Sequence, residues 1–509
     1  MHHLAKAAIA AATLLAGLAF TTRAEAFVDP ARVMAVVPAL EDYVARSQAK
    51  TGVPGLSIAI VAGDRIVYLR GFGVRRVGQK NAPVTPNTVF QLASLSKPIS
   101  STVVAGLVGR GGVRFDTRIA SLIPGFRMSS PDTTANVTVR DMLSHQSGLP
   151  EYAGDVLVDV GFSRHELIER TRFLPLNAPL RGRYNYSNVG YTIGAAAAAR
   201  PSGRSWEDTA EAILYRPLGM TSTSSRYADY MKARDRATPH VRSGSGTSWV
   251  PRNPPNDDDA EAPAGGVSSS ARDMANYLRL QLRDGTFNGK RVIAAGPLAE
   301  TRTAQVQGTS GEYGLGWNVG TDSAGRSRIS HSGAFNSGAA TDITIYPGED
   351  VGIVVLTNSY PIGLPEAISA GFFDLLFQGA VARDYVTLFG GIFDQFWDEI
   401  EEKYPAYPPT VPNPPRALAS YAGTYASPLF GRVEVVRSGR GLAIRLGPKQ
   451  VTYPLSHYSG DVFLFTPVGE NAYLPSGARF DFGGRGQARA VTIDYYNTEG
   501  QGTLTRVPR

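Results

Sequence analysis

The chain has no cysteine among its 509 residues, which excludes thiol catalysis, thiolate-bound metals and disulfide bonds. Histidine is scarce: of seven, His2 and His3 stand at the extreme N-terminus, and no two have the i, i+4 spacing of a helical zinc site, so neither a metal nor another cofactor is expected. Long hydrophobic runs are missing as well. Ala7 to Phe20 falls short of the ~18 residues of a membrane-spanning helix, follows Lys6 and leads to the small-x-small site Ala24-Glu25-Ala26. Residues 1–26 therefore read as a cleavable signal peptide, with no transmembrane segment after its removal and a mature protein in the periplasm or outside the cell. The net charge of +7 is spread without a basic block, which together with export speaks against a nucleic-acid partner. Gly-x-Ser-x-Gly is also absent, which argues against the nucleophile elbow of α/β-hydrolases.

What is present suits two domains. Pro30 to Lys50 carries apolar residues at helical spacing (Val33, Val36, Val37, Leu40, Tyr43, Val44) and stops at Thr51-Gly52. Gly55 to Ile60 and Ile66 to Leu69 flank the turn Ala62-Gly63-Asp64 as a hairpin, and Ala340 to Tyr346 with Val351 to Leu356 form a second. Helices are expected at Lys97 to Gly109 and Ala271 to Leu282. The fold class is thus α+β, with an antiparallel sheet built from both ends of a domain spanning 27–375. Prolines at 405, 408, 409, 412, 414 and 415 mark the end of a helical and Pro-rich connector, 376–416. Short alternating runs beyond it (Val433 to Arg437, Leu442 to Leu446, Val462 to Phe465, Ala478 to Phe482, Val491 to Tyr495) make 417–509 a small all-β barrel or sandwich. Packing against the first domain is its expected role; a loop of it that reached the site would restrict access.

The chemistry centres on Ser94-Leu95-Ser96-Lys97. The i, i+3 spacing brings Lys97 within reach of the Ser94 hydroxyl, a weak nucleophile until a base takes its proton. A lysine serves as that base once burial or nearby positive charge lowers its pKa. The same pattern at Ser47-Gln48-Ala49-Lys50 is expected to be an exposed helix end, and Tyr-x-Asn occurs both at Tyr186-Ser187-Asn188 and at Tyr495-Tyr496-Asn497, so each motif is uninformative alone. The information lies in their order: Ser-x-x-Lys, then Tyr-x-Asn about ninety residues on, then His331-Ser332-Gly333 before the last hairpin of the domain.

In that order the chain resembles the family of class C β-lactamases, DD-peptidases, D-aminopeptidases and related carboxylesterases, over roughly residues 30–375. Val137 to Pro150, Ala264 to Ser269 and Tyr313-Gly314-Leu315-Gly316-Trp317 also resemble stretches typical of it, and the tail from Leu418 resembles the lipocalin-like domain appended to some members. The resemblance implies a β-lactamase/transpeptidase-like fold and an acyl-enzyme on Ser94, with Lys97 and Tyr186 moving the proton. It implies that Asn188 binds the substrate amide or orients Lys97, and that the N–H groups of Ser94 and Ala334, beside Gly333, form the oxyanion hole. No cofactor is implied.

The resemblance counts His331 with Ser94, Lys97 and Tyr186 among the catalytic residues, but the lactamase pattern has lysine there; a mostly neutral imidazole suits a β-lactam carboxylate poorly and favours the peptidase or esterase branch. His145, with Asp141 four residues before it, invites a Ser-His-Asp reading, but its Ser-Gly-Leu-Pro continuation reads as a structural turn. Tyr313 and Trp317 could wall the acyl pocket or simply pack. The expected function is an exported serine hydrolase of amide bonds in small-molecule or peptide substrates, including unusual or D-residue peptides, with esterase, weak β-lactamase and idle peptide- or penicillin-binding protein as alternatives. The oligomeric state is not readable from sequence.

Overall fold

The computed structural model describes residues 27–243, 248–309, 311–472, 474–484 and 486–508. The expected signal peptide, 1–26, lies outside the described residues. Helix α1 (Pro30–Thr51) starts where the Asp29 carboxylate accepts the Ala31 N–H at 2.8 Å and ends at Gly52, whose φ of 69° closes the last turn in the left-handed region. Its stripe Val33, Leu40, Tyr43 and Val44 is buried.

The strands that follow are β1 (Gly55–Ala62) and β2 (Arg65–Gly73), then β3 (Val306–Gly308), β4 (Gly311–Tyr313), β5 (Asn318–Thr321), β6 (Ser327–Phe335), β7 (Ala339–Tyr346) and β8 (Val351–Thr357). They form one antiparallel sheet in the order β2-β1-β8-β7-β6-β5-β4-β3. The N-terminal hairpin therefore joins the last one, β1 against β8, with Ile58 opposite Val355. The helices that bear on the sheet and the site are α2 (Ser96–Gly109), α3 (Val156–Asp159), α4 (Asn188–Ala199), α5 (Ala271–Leu282), α6 (Leu364–Gln378) and α7 (Tyr385–Glu401), with further short helices between them. Helices α1 and α6 cover one face of the sheet and α5 the other. That double cover explains why β1, β7 and β8 are buried along their whole length and read as apolar runs without alternation. Leu56, Ile58 and Ile60 meet α1 and α6, while Ala59 and Val61 join the core that runs through α5 and α2.

After α7 the chain runs without helix or strand through its prolines to Ala417. It then closes a barrel of eight antiparallel strands: β9 (Gly423–Ser427), β10 (Gly431–Ser438), β11 (Gly441–Leu446), β12 (Val451–Ser459), β13 (Val462–Phe465), β14 (Ser476–Asp481), β15 (Ala490–Ile493) and β16 (Thr503–Val507), with β9 paired to β16. Closure leaves no unpaired edge, which settles the barrel against the sandwich.

The barrel is fastened to the first domain near α3. Asp159 accepts the N–H groups of Glu470 (2.9 Å) and Asn471 (2.8 Å) and the Tyr495 hydroxyl (2.7 Å). In return the Glu470 carboxylate, on the loop between β13 and β14, accepts the Asn336 and Ser337 N–H groups and the Ser337 hydroxyl. Gly469 permits the approach, since a Cβ there would lie 2.3 Å from the Asp159 carboxyl carbon.

Candidate active site

Ser94 sits in a short 3-10 turn, Ala93–Leu95, that runs straight into α2. Ala93 is held at φ 48°, a left-handed conformation rare for a residue with a side chain, and such strain persists only where the surroundings enforce it. Ser96 Oγ accepts the Val267 N–H at 2.9 Å, Ser100 Oγ donates to the Pro263 carbonyl at 2.7 Å, and Tyr191 OH donates to the Lys97 carbonyl at 2.6 Å. These bonds fix the first turn of α2 against the Ala264-Gly265-Gly266-Val267 stretch and against α4.

Lys97 is fully buried, and its Nζ lies 3.0 Å from Ser94 Oγ, 2.7 Å from Asn188 Oδ1 and 3.1 Å from the Ala264 carbonyl oxygen. Tyr186 donates its hydroxyl to Ser94 Oγ at 2.8 Å. Asn188, the first residue of α4, donates its amide to Asp155 Oδ2 at 2.6 Å. The Ser187 hydroxyl caps that helix by accepting the Gly190 N–H, which sets Tyr186 and Asn188 on either side of the cap. Burial lowers the Lys97 ammonium from 10.5 to about 7 against the opposing pull of Asp155, Glu261 and Asp258, whose negative charge favours the cation. Burial pushes the Tyr186 phenol above its usual range, against the Ser94 hydrogen bond.

On the opposite wall β6 approaches the turn so closely that a Cβ on Gly333 would lie 2.2 Å from the Leu92 carbonyl oxygen and 3.1 Å from the Ser94 nitrogen. Only glycine fits. Ala334 follows it and lines the same cavity as Ser94, Tyr186 and Asn188. His331 lies in the middle of β6, on the face that Gly333 presents. Burial, with the Lys97 charge, drops its imidazole from 6.5 to about 3. Its Nδ1 lies 2.7 Å from the Ser332 carbonyl oxygen and its Nε2 3.3 Å from Tyr313 OH, and it is not part of the cavity lining.

His145 forms no dyad with Asp141. That carboxylate serves the capping box of Thr138 and the Arg181 guanidinium, while His145 Nδ1 accepts the Ser187 N–H at 3.0 Å and its ring packs 4.6 Å from that of Tyr186. The histidine thus holds Tyr186 in place, a role the sequence did not announce. Tyr313 and Trp317 are core residues outside the cavity wall, and Gly316 between them abuts the Lys97 carbonyl and Tyr191. Ser47 is buried under the end of α1 instead of exposed, and Lys50 pairs at the surface with Asp384.

Several cavity residues have no motif: Tyr152, Asp155, Val158 and Asp159 on and before α3, Asp258 and Glu261, Phe396, Trp397 and Ile400 of α7, and Glu470 and Asn471 of the barrel. The barrel loop therefore does reach the cavity. Among the described residues no three His, Asp or Glu side chains are arranged to hold a metal ion.

A serine hydroxyl shared by a buried lysine and a tyrosine, on a helical domain packed against an antiparallel sheet, defines a serine hydrolase. The chain belongs to the Beta-lactamase family, whose profile matches residues 40–368, and residues 407–505 match a domain of unknown function, DUF3471. It is 29% identical over 343 residues to penicillin-binding protein 4 of Amycolatopsis lactamdurans, covering 64% of this chain and 84% of that protein. It is 25% identical over 488 residues to the unguisins hydrolase ungD of Aspergillus violaceofuscus, covering 87% and 85%, an alignment that spans both domains. The octameric penicillin-binding protein homologue of Pyrococcus abyssi shares the fold with a TM-score of 0.61 at 21% identity, over 92% of this chain and all of that one.

Proposed function

We propose that this protein is an exported hydrolase of amide bonds in peptides, working through an acyl-enzyme on Ser94. The observation that carries the reading is the pair of contacts on one oxygen: Lys97 Nζ at 3.0 Å and Tyr186 OH at 2.8 Å from Ser94 Oγ, with the lysine near 7 and so a base at neutral pH. Ser94 Oγ attacks the carbonyl, Lys97 takes the hydroxyl proton, and Tyr186 passes a proton to the leaving nitrogen. The N–H groups of Ser94 and Ala334 hold the oxyanion, and Gly333 leaves room for both. Asn188 fixes Lys97 from one side and Asp155 fixes Asn188. Water then releases the acyl group. His331, neutral and bonded toward Tyr313, shapes this wall without bringing a cation to it.

That neutrality, together with the carboxylates around the cavity, disfavours an anionic β-lactam and favours peptides, in keeping with a relative named as a hydrolase of unguisins. Among the described residues no helix is long and apolar enough to cross a membrane. Export rests on residues 1–26, and a mature N-terminus at Phe27 in the periplasm or medium is its test. For the activity, a panel of peptide anilides, a short p-nitrophenyl ester and a penicillin decides among the branches. Faster turnover of the anilides supports the peptidase reading, and turnover of the ester alone overturns it.

A further inference from the structure

Three carboxylates line the Ser94 cavity without the partners that buried acids require. Asp155 and Glu261 are 3% and 4% exposed, yet Asp155 Oδ1 and Glu261 Oε1 accept no hydrogen bond. Asp258, 9% exposed, approaches the backbone so closely that a Cβ on Gly265 would lie 2.0 Å from its Oδ2. Among the described residues none of the three forms an ion pair with a lysine, arginine or histidine. The contrast is with Asp159 and Glu470 of the same cavity, each of which accepts three hydrogen bonds and is fully used in fastening the barrel. Leaving carboxylate oxygens buried and unpaired costs stability. Their setting is also felt electrostatically: burial above all, with the repulsion of nearby acids, raises Asp155 and Asp258 to about 7 and lifts Glu261 well above the usual carboxylate range, and the Lys97 charge opposes this.

We propose that Asp155, Asp258 and Glu261 form a substrate subsite for an organic cation, so that the enzyme selects peptides or esters bearing an ammonium group near the scissile carbonyl. The proposal rests on the Ser94 hydrolase reading and adds to it the charge of the substrate. An ammonium has several N–H donors to distribute among such carboxylates. Its arrival brings positive charge and donors to a cluster in which Asp155 Oδ1 and Glu261 Oε1 accept no hydrogen bond. Asp155 links the subsite to the reaction, since its other oxygen accepts the Asn188 amide whose carbonyl holds Lys97. A correctly charged substrate thus completes the chain that positions the base.

The test is the ratio of kcat/KM between cationic substrates and their carbon isosteres: alanyl against isobutyryl p-nitroanilide, 5-aminopentanoyl against hexanoyl p-nitroanilide, and 6-aminohexanoyl against heptanoyl p-nitrophenyl ester. At least one pair is expected to favour the cation by about tenfold or more, and that ratio is expected to fall toward one in Glu261→Gln and Asp258→Asn, two near-isosteric changes that lift buried charge. A role confined to tuning Lys97 would alter both members of a pair alike and leave the ratio standing, which would overturn the subsite. Ratios within twofold in all three pairs, in an enzyme that a fluorophosphonate labels at Ser94, would overturn it too. Absence of labelling and of any turnover would instead bring down the hydrolase reading beneath it.

Discussion

Under the proposed mechanism, raising the pH through neutrality should switch on acylation, because a lysine can take the Ser94 proton only when it is uncharged. At pH 7 a lysine with the ordinary 10.5 is neutral in about one molecule in 3,000, whereas one lowered to about 7 is neutral in about half, a gain of about 1,500-fold in the basic form. The sign follows: below about pH 7 the rate falls about tenfold per unit as the ammonium forms, and above it the rate levels off. The midpoint belongs to the coupled set of Lys97, Asp155 and Asp258, which titrate in the same range. Asp155→Asn removes a negative charge that favours the cation and should move the rising limb to lower pH. Lys97→Arg keeps a permanent cation and should slow acylation by about 1,000-fold or more. The assay is the pre-steady-state release of p-nitrophenol between pH 5 and 10. A rising limb centred near pH 10, or a rate independent of pH across the range, would refute the role given to Lys97.

Four further outcomes are expected. Ser94→Ala should abolish turnover and Ser47→Ala should leave it intact, measured on the same substrate; comparable losses would mean that the second Ser-x-x-Lys matters. Tyr186→Phe, which deletes the 2.8 Å bond to Ser94, should lower kcat by about 100-fold or more, and an unchanged kcat would remove the phenol from the proton path. Gly333→Val should eliminate activity by driving β6 away from the Leu92 carbonyl, and wild-type rates would contradict the close approach. Asp159→Ala strips the acceptor from three buried or half-buried donors and should cost about 3 kcal/mol, read as a lower melting temperature; an unshifted melt would show that the fastening of the barrel is not where the structure locates it.

How far the sequence led depended on whether a residue's neighbours in space were also its neighbours in the chain. Helices α1 and α5 and the two hairpins declared themselves through periodicity, as did the turn-to-helix setting of Ser94 and Lys97. Strand β12 did not, because Pro454, on the exposed face between buried Tyr453 and Leu455, speaks against a strand in the sequence, and β16 buries only Leu504 fully. Ser94, Lys97, Tyr186 and Asn188 were legible as ordered motifs, and the structure brings their side chains within hydrogen-bonding distance. Asp155, Asp258 and Glu261 were not, since they come from irregular segments a hundred residues apart and no local pattern distinguishes a cavity carboxylate from a surface one. Glu470 was hidden more deeply still, as its meaning arises only when the barrel packs against the first domain. Of the two readings open for Tyr313 and Trp317, pocket wall or packing, the structure shows packing: both rings are buried and neither lines the cavity.

The most direct measurement is intact-mass spectrometry of the purified protein after treatment with a fluorophosphonate, followed by peptide mapping, with Ser94→Ala alongside. One adduct per chain, mapped to Ser94 and absent from the alanine variant, is the expected result. An adduct on another residue, or one that persists in Ser94→Ala, would contradict the claim that Ser94 is the nucleophile.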